Sequence, residues 1–175
     1  MGDEEAAKKQ YNQYLQQKPD DDFAYKEEIK LKIKDKSPRE AVKQLRQLMR
    51  IGNRKYNVHL HTLLAEKLEE MGQLEEAAAE YKEALSLNPG DKFILQNLGY
   101  CLKKMDQPES ALDYLKQAFR RDPSDYYTRS SLVATFKSLN RYQEGIEYFK
   151  DIIEENPSFK NLWGIIKKLD KAKSE

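Results

Sequence analysis

Apolar residues recur along the chain at the spacing of an amphipathic helix. Leu95, Leu98 and Leu102 stand at positions i, i+3 and i+7, which places them on one helical face. The same spacing recurs downstream at Ala111, Leu115 and Ala118. Between the two runs, Asp106 and Pro108 favour the end of one helix and the beginning of the next. The pattern therefore predicts a helical hairpin, that is, two helices joined by a short turn.

This hairpin pattern repeats with a period of 34 residues, which Pro89, Pro123 and Pro157 mark. Apolar or small residues keep the same period in five further series: Leu64, Leu98, Leu132 and Ile166; Leu68, Leu102 and Phe136; Ala77, Ala111 and Gly145; Tyr81, Leu115 and Phe149; and Ala84, Ala118 and Ile152. Self-similarity at a fixed period of this length is typical of repeat proteins, in which each unit packs on its neighbours.

Residues that end or begin helices follow the same period. Gly72, Asp106 and Asn140 share one position of the repeat, and all three residue types tolerate the left-handed backbone that ends many helices. Near the start of the chain, Ser37 and Glu40 flank Pro38 in the order of a capping box, which predicts a helix that begins at the proline.

The repeated motif resembles the tetratricopeptide repeat family. That family's ordered pattern of small and large residues is met by Leu98, Gly99, Leu102, Ala111, Leu115 and Pro123. The resemblance is strongest over 58–91 and 92–125 and extends to 126–159. Residues 22–57 resemble a degenerate repeat, 4–19 resemble a lone second helix that ends near Pro19, and 160–173 resemble a lone first helix that acts as a C-terminal cap.

The resemblance implies a fold for the whole chain. We expect an all-α solenoid of about ten helices, arranged as antiparallel hairpins in a right-handed superhelix, with residues 1–175 forming a single domain. Such a surface suits the binding of a partner better than it suits catalysis.

The resemblance also implies where a partner would bind. In the family, contacts come from outward-facing positions of the first helices, which line a concave groove. Here those positions hold Phe93, Asn97, Tyr100, Lys103 and Tyr127. Aromatic rings beside a lysine would suit an extended or helical peptide that carries apolar and acidic side chains. The alternative is that these rings pack against neighbouring helices.

The family's site for the C-terminal carboxylates of chaperones is not matched. Asn97 fills one of its positions, but Glu66 stands where a lysine or asparagine would be needed and would repel a carboxylate. We therefore do not expect a chaperone-tail site.

Charge is distributed unevenly although the net charge of the chain is only +1. Residues 22–57 carry a balance of +6, whereas 58–91 carry −6. A basic stripe follows one face of the helix after Ser37 and comprises Arg39, Lys43, Arg46 and Arg50. It would suit RNA phosphates, anionic lipid or an acidic partner, or it is simply a solvated helix face. Aromatic residues that would stack on bases do not alternate with the stripe, which makes nucleic acid an unlikely partner.

The C-terminal helix offers a different surface. Trp163 and Ile166 occupy positions that normally pack against a second helix of the same repeat, and the sequence contains no such helix after them. Leu162, Ile165 and Leu169 are expected to cover the preceding repeat instead. The pair would then be partly buried by local folding, would allow self-association into a homodimer, or would pack against a further part of a longer chain.

The composition and the reactive residues do not indicate catalysis. His59 and His61 stand two residues apart and so face different sides of a helix, and Cys101 is expected to be a small buried residue. No metal-binding spacing, glycine-rich phosphate loop or apolar run of about 18 residues is present in the sequence. We expect no enzyme activity, no cofactor, no metal site and no membrane span.

The sequence thus favours a non-enzymatic, cytoplasmic scaffold or adaptor that binds a peptide or partner domain in a concave groove. The alternative is a small dimeric chaperone or assembly factor that acts through its terminal helices. A third hypothesis, binding to RNA or lipid through the basic stripe, requires a steep dependence of binding on salt.

Overall fold

A computed structural model describes residues 2–18, 21–51 and 57–174 of the chain. Within these ranges lie ten α-helices: α1 (Gly2–Gln17), α2 (Asp22–Ile33), α3 (Pro38–Met49), α4 (Val58–Glu70), α5 (Leu74–Leu87), α6 (Lys92–Lys104), α7 (Pro108–Arg121), α8 (Tyr126–Ser138), α9 (Tyr142–Glu155) and α10 (Trp163–Lys173). A 3-10 helix, Pro157–Leu162, precedes α10. The described residues contain no strand, so the predicted all-α class is confirmed. Pro19, a predicted repeat position, lies outside them.

The helices form two compact units, Met1–Pro89 and Gly90–Glu175. In the first unit, α1 packs against α2, α3 against α4, and α4 against α5. In the second unit, α6 packs against α7, α7 against α8, α8 against α9, and α9 against α10. Each helix therefore contacts chiefly its neighbours along the chain, as expected of a solenoid.

The three predicted left-handed turns are present. Gly72, Asp106 and Asn140 have φ angles of 73°, 56° and 54°. After Asp106, the backbone N–H of Gln107 donates to the carbonyl of Leu102 at 2.9 Å, which closes the end of α6. Because each turn spans only three residues between packed helices, the paired helices run antiparallel.

The beginnings of the first helices share a polar cap. Asn57, Asp91 and Asp125, each 34 residues apart, accept hydrogen bonds from backbone N–H groups in the first turn of α4, α6 and α8. The predicted capping box at Ser37 and Glu40 is also present, with both of its reciprocal hydrogen bonds. These caps fix where each helix begins and therefore which face each side chain lies on.

Aromatic rings fill the core of the second unit. Phe119, Phe136 and Phe149 are fully buried, and Tyr148 lies beside them. The rings of Phe119 and Phe149 meet edge to face with centroids 5.7 Å apart. Burying each such ring stabilises the fold by about 1.5–3 kcal/mol. The core therefore ties α7, α8 and α9 together below the surface on which the predicted site residues stand.

The C-terminal segment differs from the expectation in the position at which its last α-helix begins. Over residues 157–162 the backbone forms a 3-10 turn, with Phe159 outside helical geometry, so the final α-helix begins only at Trp163. The side chain of Ile166 is only 6% exposed in a helix that packs against α9, which agrees with the alternative of burial by local folding. Trp163 remains 46% exposed. Self-association through this pair stays a prediction, with Trp163 as its exposed member.

No helix within the described ranges is both long enough and apolar enough to span a bilayer.

Two glycines allow the paired helices to approach closely. A Cβ atom at Gly99 would lie 2.7 Å from Cγ of Leu115, and one at Gly145 would lie 2.9 Å from the ring of Phe136 and 3.1 Å from Cδ1 of Leu169. Real Cβ atoms do not come so close to fully buried neighbours. Both positions therefore require glycine for packing rather than for an unusual backbone conformation.

We expect Gly145→Ala to destabilise the protein by about 1 kcal/mol in urea unfolding. Overpacking against a buried ring costs about 1–3 kcal/mol, and the better helix propensity of alanine offsets about 1 kcal/mol. Gly164→Ala in α10 is the matched control, because nothing lies within 4 Å of a Cβ atom there. We expect that change to stabilise by about 0.5 kcal/mol. Equal effects of the two substitutions would contradict the packing argument.

Candidate functional site

A groove of about 460 Å³ lies between α6 and α8 in the second unit. Helix α6 lines it with Gln96, Asn97, Tyr100 and Lys103. Helix α8 lines it with Tyr126, Tyr127, Ser130, Ser131 and Ala134. We call this surface the α6–α8 groove. The caps Asp91 and Asp125 begin the two helices at equivalent positions of the repeat, so equivalent faces of both helices line the groove.

Four of the five predicted groove residues line this one groove, namely Asn97, Tyr100, Lys103 and Tyr127. Phe93 does not. It stands in the first turn of α6 and is 62% exposed, with the ammonium nitrogen of Lys92 4.9 Å from its ring centroid. The structure therefore brings most of the predicted set together and leaves one aromatic ring beyond the groove.

A polar network fixes one wall of the groove. The side-chain N–H₂ of Gln96 donates to the hydroxyl oxygen of Tyr100 at 2.9 Å and to the carboxylate of Asp125 at 3.0 Å. The same carboxylate accepts hydrogen bonds from the backbone N–H and the hydroxyl of Thr128. Because this network joins α6 to the first turn of α8, it holds Tyr100 in one orientation.

Lys103 contributes a cation that the rest of the described chain does not neutralise. Its ammonium group donates to the hydroxyl oxygen of Ser131 at 2.8 Å. Among the described residues, no carboxylate oxygen lies within the 4.0 Å of an ion pair with this group. Burial of the side chain lowers the pKa of Lys103, because a charged group is disfavoured where water is partly excluded. The groove therefore presents a partly desolvated positive charge.

The other end of the groove is aromatic. Tyr126 and Tyr127 are 62% and 73% exposed, and their rings meet edge to face with centroids 5.7 Å apart. The guanidinium carbon of Arg129 lies 5.4 Å from the ring centroid of Tyr126. Sequence reasoning selected Tyr127 and missed Tyr126. The cap residue Asp125, which shows that both tyrosines stand in the first turn, was the available signal.

The basic stripe is only partly free of acidic partners. Arg39, Lys43 and Arg46 are exposed on α3, and Arg50 is exposed directly after its end. The guanidinium of Arg46 forms an ion pair of 2.5 Å with Glu76 of α5. An interaction of this stripe with a polyanion stays a prediction.

His61 and Cys101 both lie in the interior, and the burial of Cys101 is as predicted. His61 is buried, and its Nδ1 lies 2.7 Å from a carboxylate oxygen of Glu80. Cys101 is fully buried. Within the described ranges, no cluster of histidine, cysteine and acidic side chains is suited to hold a metal ion.

The first unit carries an acid where the second carries Tyr100. Glu66 of α4 stands 34 residues before Tyr100. Burial raises the pKa of its carboxyl group, and the positive charges of Lys30, Lys67 and Lys26 oppose this effect in part. This face of the first unit thus has a carboxyl group whose pKa is affected by three lysines, whereas no carboxylate oxygen of the described residues lies within 4.0 Å of the Lys103 ammonium group.

We expect Glu66→Gln to raise the free energy of unfolding at pH 7. The raised pKa means that folding disfavours the charged carboxylate, so the wild type gains stability as the pH falls and the group protonates. The advantage of the variant should therefore vanish below the ordinary carboxyl pKa of 4.5, where the wild type is neutral as well. Urea titrations across pH measure this, with the exposed Glu83→Gln as control. A variant less stable than the wild type at pH 7 would contradict the assignment.

Comparison with known proteins connects this geometry to a family. A tetratricopeptide repeat family model matches residues 68–134, which contain α5, α6, α7 and most of α8. No curated protein sequence matches the chain.

Solved structures share the fold over most of the chain. A crystal structure of MamA has a TM-score of 0.66 and 16% identity, covering 91% of this chain and 92% of its own. YrrB, a tetratricopeptide-repeat protein with an unusual peptide-binding site, has a TM-score of 0.65 and 17% identity, covering 84% and 75%. TTC0263, a thermophilic protein of the same repeat class from Thermus thermophilus, has a TM-score of 0.56 and 20% identity, covering 96% and 91%. These similarities confirm the solenoid fold inferred from the sequence.

Proposed function

We propose that this chain is a tetratricopeptide-repeat protein and acts as a non-enzymatic scaffold that binds a peptide or a partner domain in the α6–α8 groove. The repeat fold is typically used for protein–protein interaction rather than for catalysis, and the proposal assigns that general role to one surface of this chain.

The observation that carries the proposal is the chemistry of the groove. It combines exposed aromatic area at Tyr126 and Tyr127 with the unneutralised ammonium group of Lys103. Exposed rings supply apolar contact area at a low cost in side-chain entropy, and aromatic residues are enriched where partners bind. The two exposed rings adjoin one another, and adjoining exposed apolar groups are more typical of interaction sites than single exposed ones.

A structural neighbour supports the same class of ligand. YrrB, which shares the fold at 17% identity, has an unusual peptide-binding site. The low identity transfers no binding residue to this chain, so the choice of the α6–α8 groove rests on its own side chains.

The test removes aromatic area from the groove and leaves the fold intact. We expect Tyr100→Ala with Tyr127→Ala to lose at least about tenfold in affinity for partners that the wild type captures from a lysate of the source cell, because truncating aromatic anchors at an interface costs more than about 1 kcal/mol each. Quantitative mass spectrometry of the captured proteins measures the loss.

The matched control carries two substitutions on another surface of the same unit. Gln117→Ala with Asp151→Ala changes exposed residues of α7 and α9. The control should capture the same partners as the wild type, and circular dichroism should give equal helix content for all three proteins. If the groove variant and the control both keep every partner, the α6–α8 groove is not the binding site.

A further inference from the structure

We infer that the occupant of the α6–α8 groove is an extended peptide segment with an acidic side chain and, two residues away, an apolar or aromatic side chain. This inference rests on the proposed function and adds the chemistry and spacing of the ligand. It assigns the acidic side chain to Lys103 and the apolar one to the pair Tyr126 and Tyr127.

We assign an acidic side chain to the peptide because the ammonium group of Lys103 has N–H donors that Ser131 does not use. An ammonium group has three N–H donors, and the contact with the hydroxyl oxygen of Ser131 uses one. The charge is partly withdrawn from water without a carboxylate in contact, an arrangement that is unfavourable until an anion arrives. A peptide carboxylate supplies a charge-assisted hydrogen bond in that place.

The carboxylate that adjoins the groove does not satisfy Lys103. Asp125 caps α8 and accepts hydrogen bonds from Gln96 and from the backbone and hydroxyl of Thr128. Its negative charge is therefore committed to holding the two helices together. The ammonium group of Lys103 lies further along the two helices, where it donates to the hydroxyl oxygen of Ser131.

The spacing follows from the geometry of α8. Tyr127 and Ser131 are four residues apart on one helix, which separates them by about 6 Å along its axis. In an extended peptide, side chains two residues apart lie on the same side of the backbone and about 6.6 Å from each other. One such pair of side chains thus reaches the tyrosines and the ammonium group together.

The extended conformation follows from the polar groups between these two ends. Asn97 and Ser130 line the groove, and the amide of Asn97 makes no hydrogen bond within the described ranges. An extended segment has backbone N–H and C=O groups that need partners, whereas a helix satisfies its own. The amide supplies both a donor and an acceptor for such a backbone.

The first unit does not offer the same chemistry. On α4 the positive charges of Lys30, Lys67 and Lys26 act on the carboxyl group of Glu66. Lys30 and Lys67 also form ion pairs with Glu27 and Glu70, so acids are already present among these lysines. An acidic ligand would be repelled by Glu66 there and attracted by Lys103 in the second unit. We therefore place this specificity in the second unit alone.

A selection from a random peptide library displayed on phage, with the full chain as target, tests the inference directly. The displayed peptides are fused at their C-terminus, so only side chains can supply the carboxylate. We expect the enriched peptides to share Asp or Glu two residues from Trp, Tyr, Phe or Leu, and Tyr100→Ala with Tyr127→Ala to lose them.

Reversing the charge of Lys103 tests directly whether this residue selects the acidic side chain of the peptide. With Lys103→Glu as target, we expect the acidic position of the enriched peptides to become Lys or Arg, while the apolar position is unchanged. Lys137→Glu is the matched control, since Lys137 is an exposed lysine 34 residues further on, also in the last turn of its helix and outside the groove lining. Its selected peptides should match those of the wild type.

Affinity measured on a synthetic peptide completes the test. The most enriched sequence, labelled with fluorescein and amidated at its C-terminus, should lose about tenfold to a hundredfold in affinity by fluorescence anisotropy when its acid is replaced by the matching amide. Lys103→Ala should produce a similar loss with the acidic peptide and little further loss with the amide form.

The outcomes separate this inference from the proposed function. Groove-dependent peptides without an acid, with a spacing other than two, or unchanged by Lys103→Glu would overturn the inference and leave the proposed function standing. A failure to enrich any peptide that depends on Tyr100 and Tyr127, together with lysate partners kept by the groove variant, would overturn both.

Discussion

The packing distance between the two helices of each hairpin is the constraint on which the rest of the second unit depends. At Gly99 and Gly145 the helices approach so closely that a Cβ atom would overlap Leu115 or Phe136. This packing uses the apolar face of every helix, and the aromatic core joins α7, α8 and α9 behind it. The opposite face of α6 and α8 takes no part in the core. Its residues are therefore free to serve another purpose.

The 34-residue period places equivalent positions of α6 and α8 beside one another, and this arrangement forms the groove. Because caps at Asp91 and Asp125 begin α6 and α8 at equivalent positions, residues 96 and 125 meet at one level and residues 103 and 131 meet at another. Two polar contacts thus connect the same two helices at different heights. Between them lies the groove, whose walls are fixed by hydrogen bonds that do not belong to the hydrophobic core.

Local rules explain what the sequence could predict. Positive φ at Gly72, Asp106 and Asn140 depends on residue type and position alone, and the helical spacing of the leucines defines the buried face. The Gln96 network and the contact of Lys103 with Ser131 depend on how two distant helices meet, so no local pattern contained them. The burial of Ile166 depends likewise on the docking of α10 against α9.

Charge gives the strongest reason to regard the groove as functional. A lysine that folding partly desolvates without a carboxylate in contact lowers stability, and protein surfaces accept such costs chiefly where they bind something. Glu66, which stands 34 residues before Tyr100, is also partly buried, but the positive charges of nearby lysines in its own unit oppose the effect of that burial on its pKa. Both units are therefore built from helical hairpins, but they differ in charge pairing, because only the second unit has this partly buried lysine without a carboxylate in contact among the described residues. An anionic ligand bound at Lys103 would supply the negative charge that Glu66 already supplies beside the lysines of the first unit.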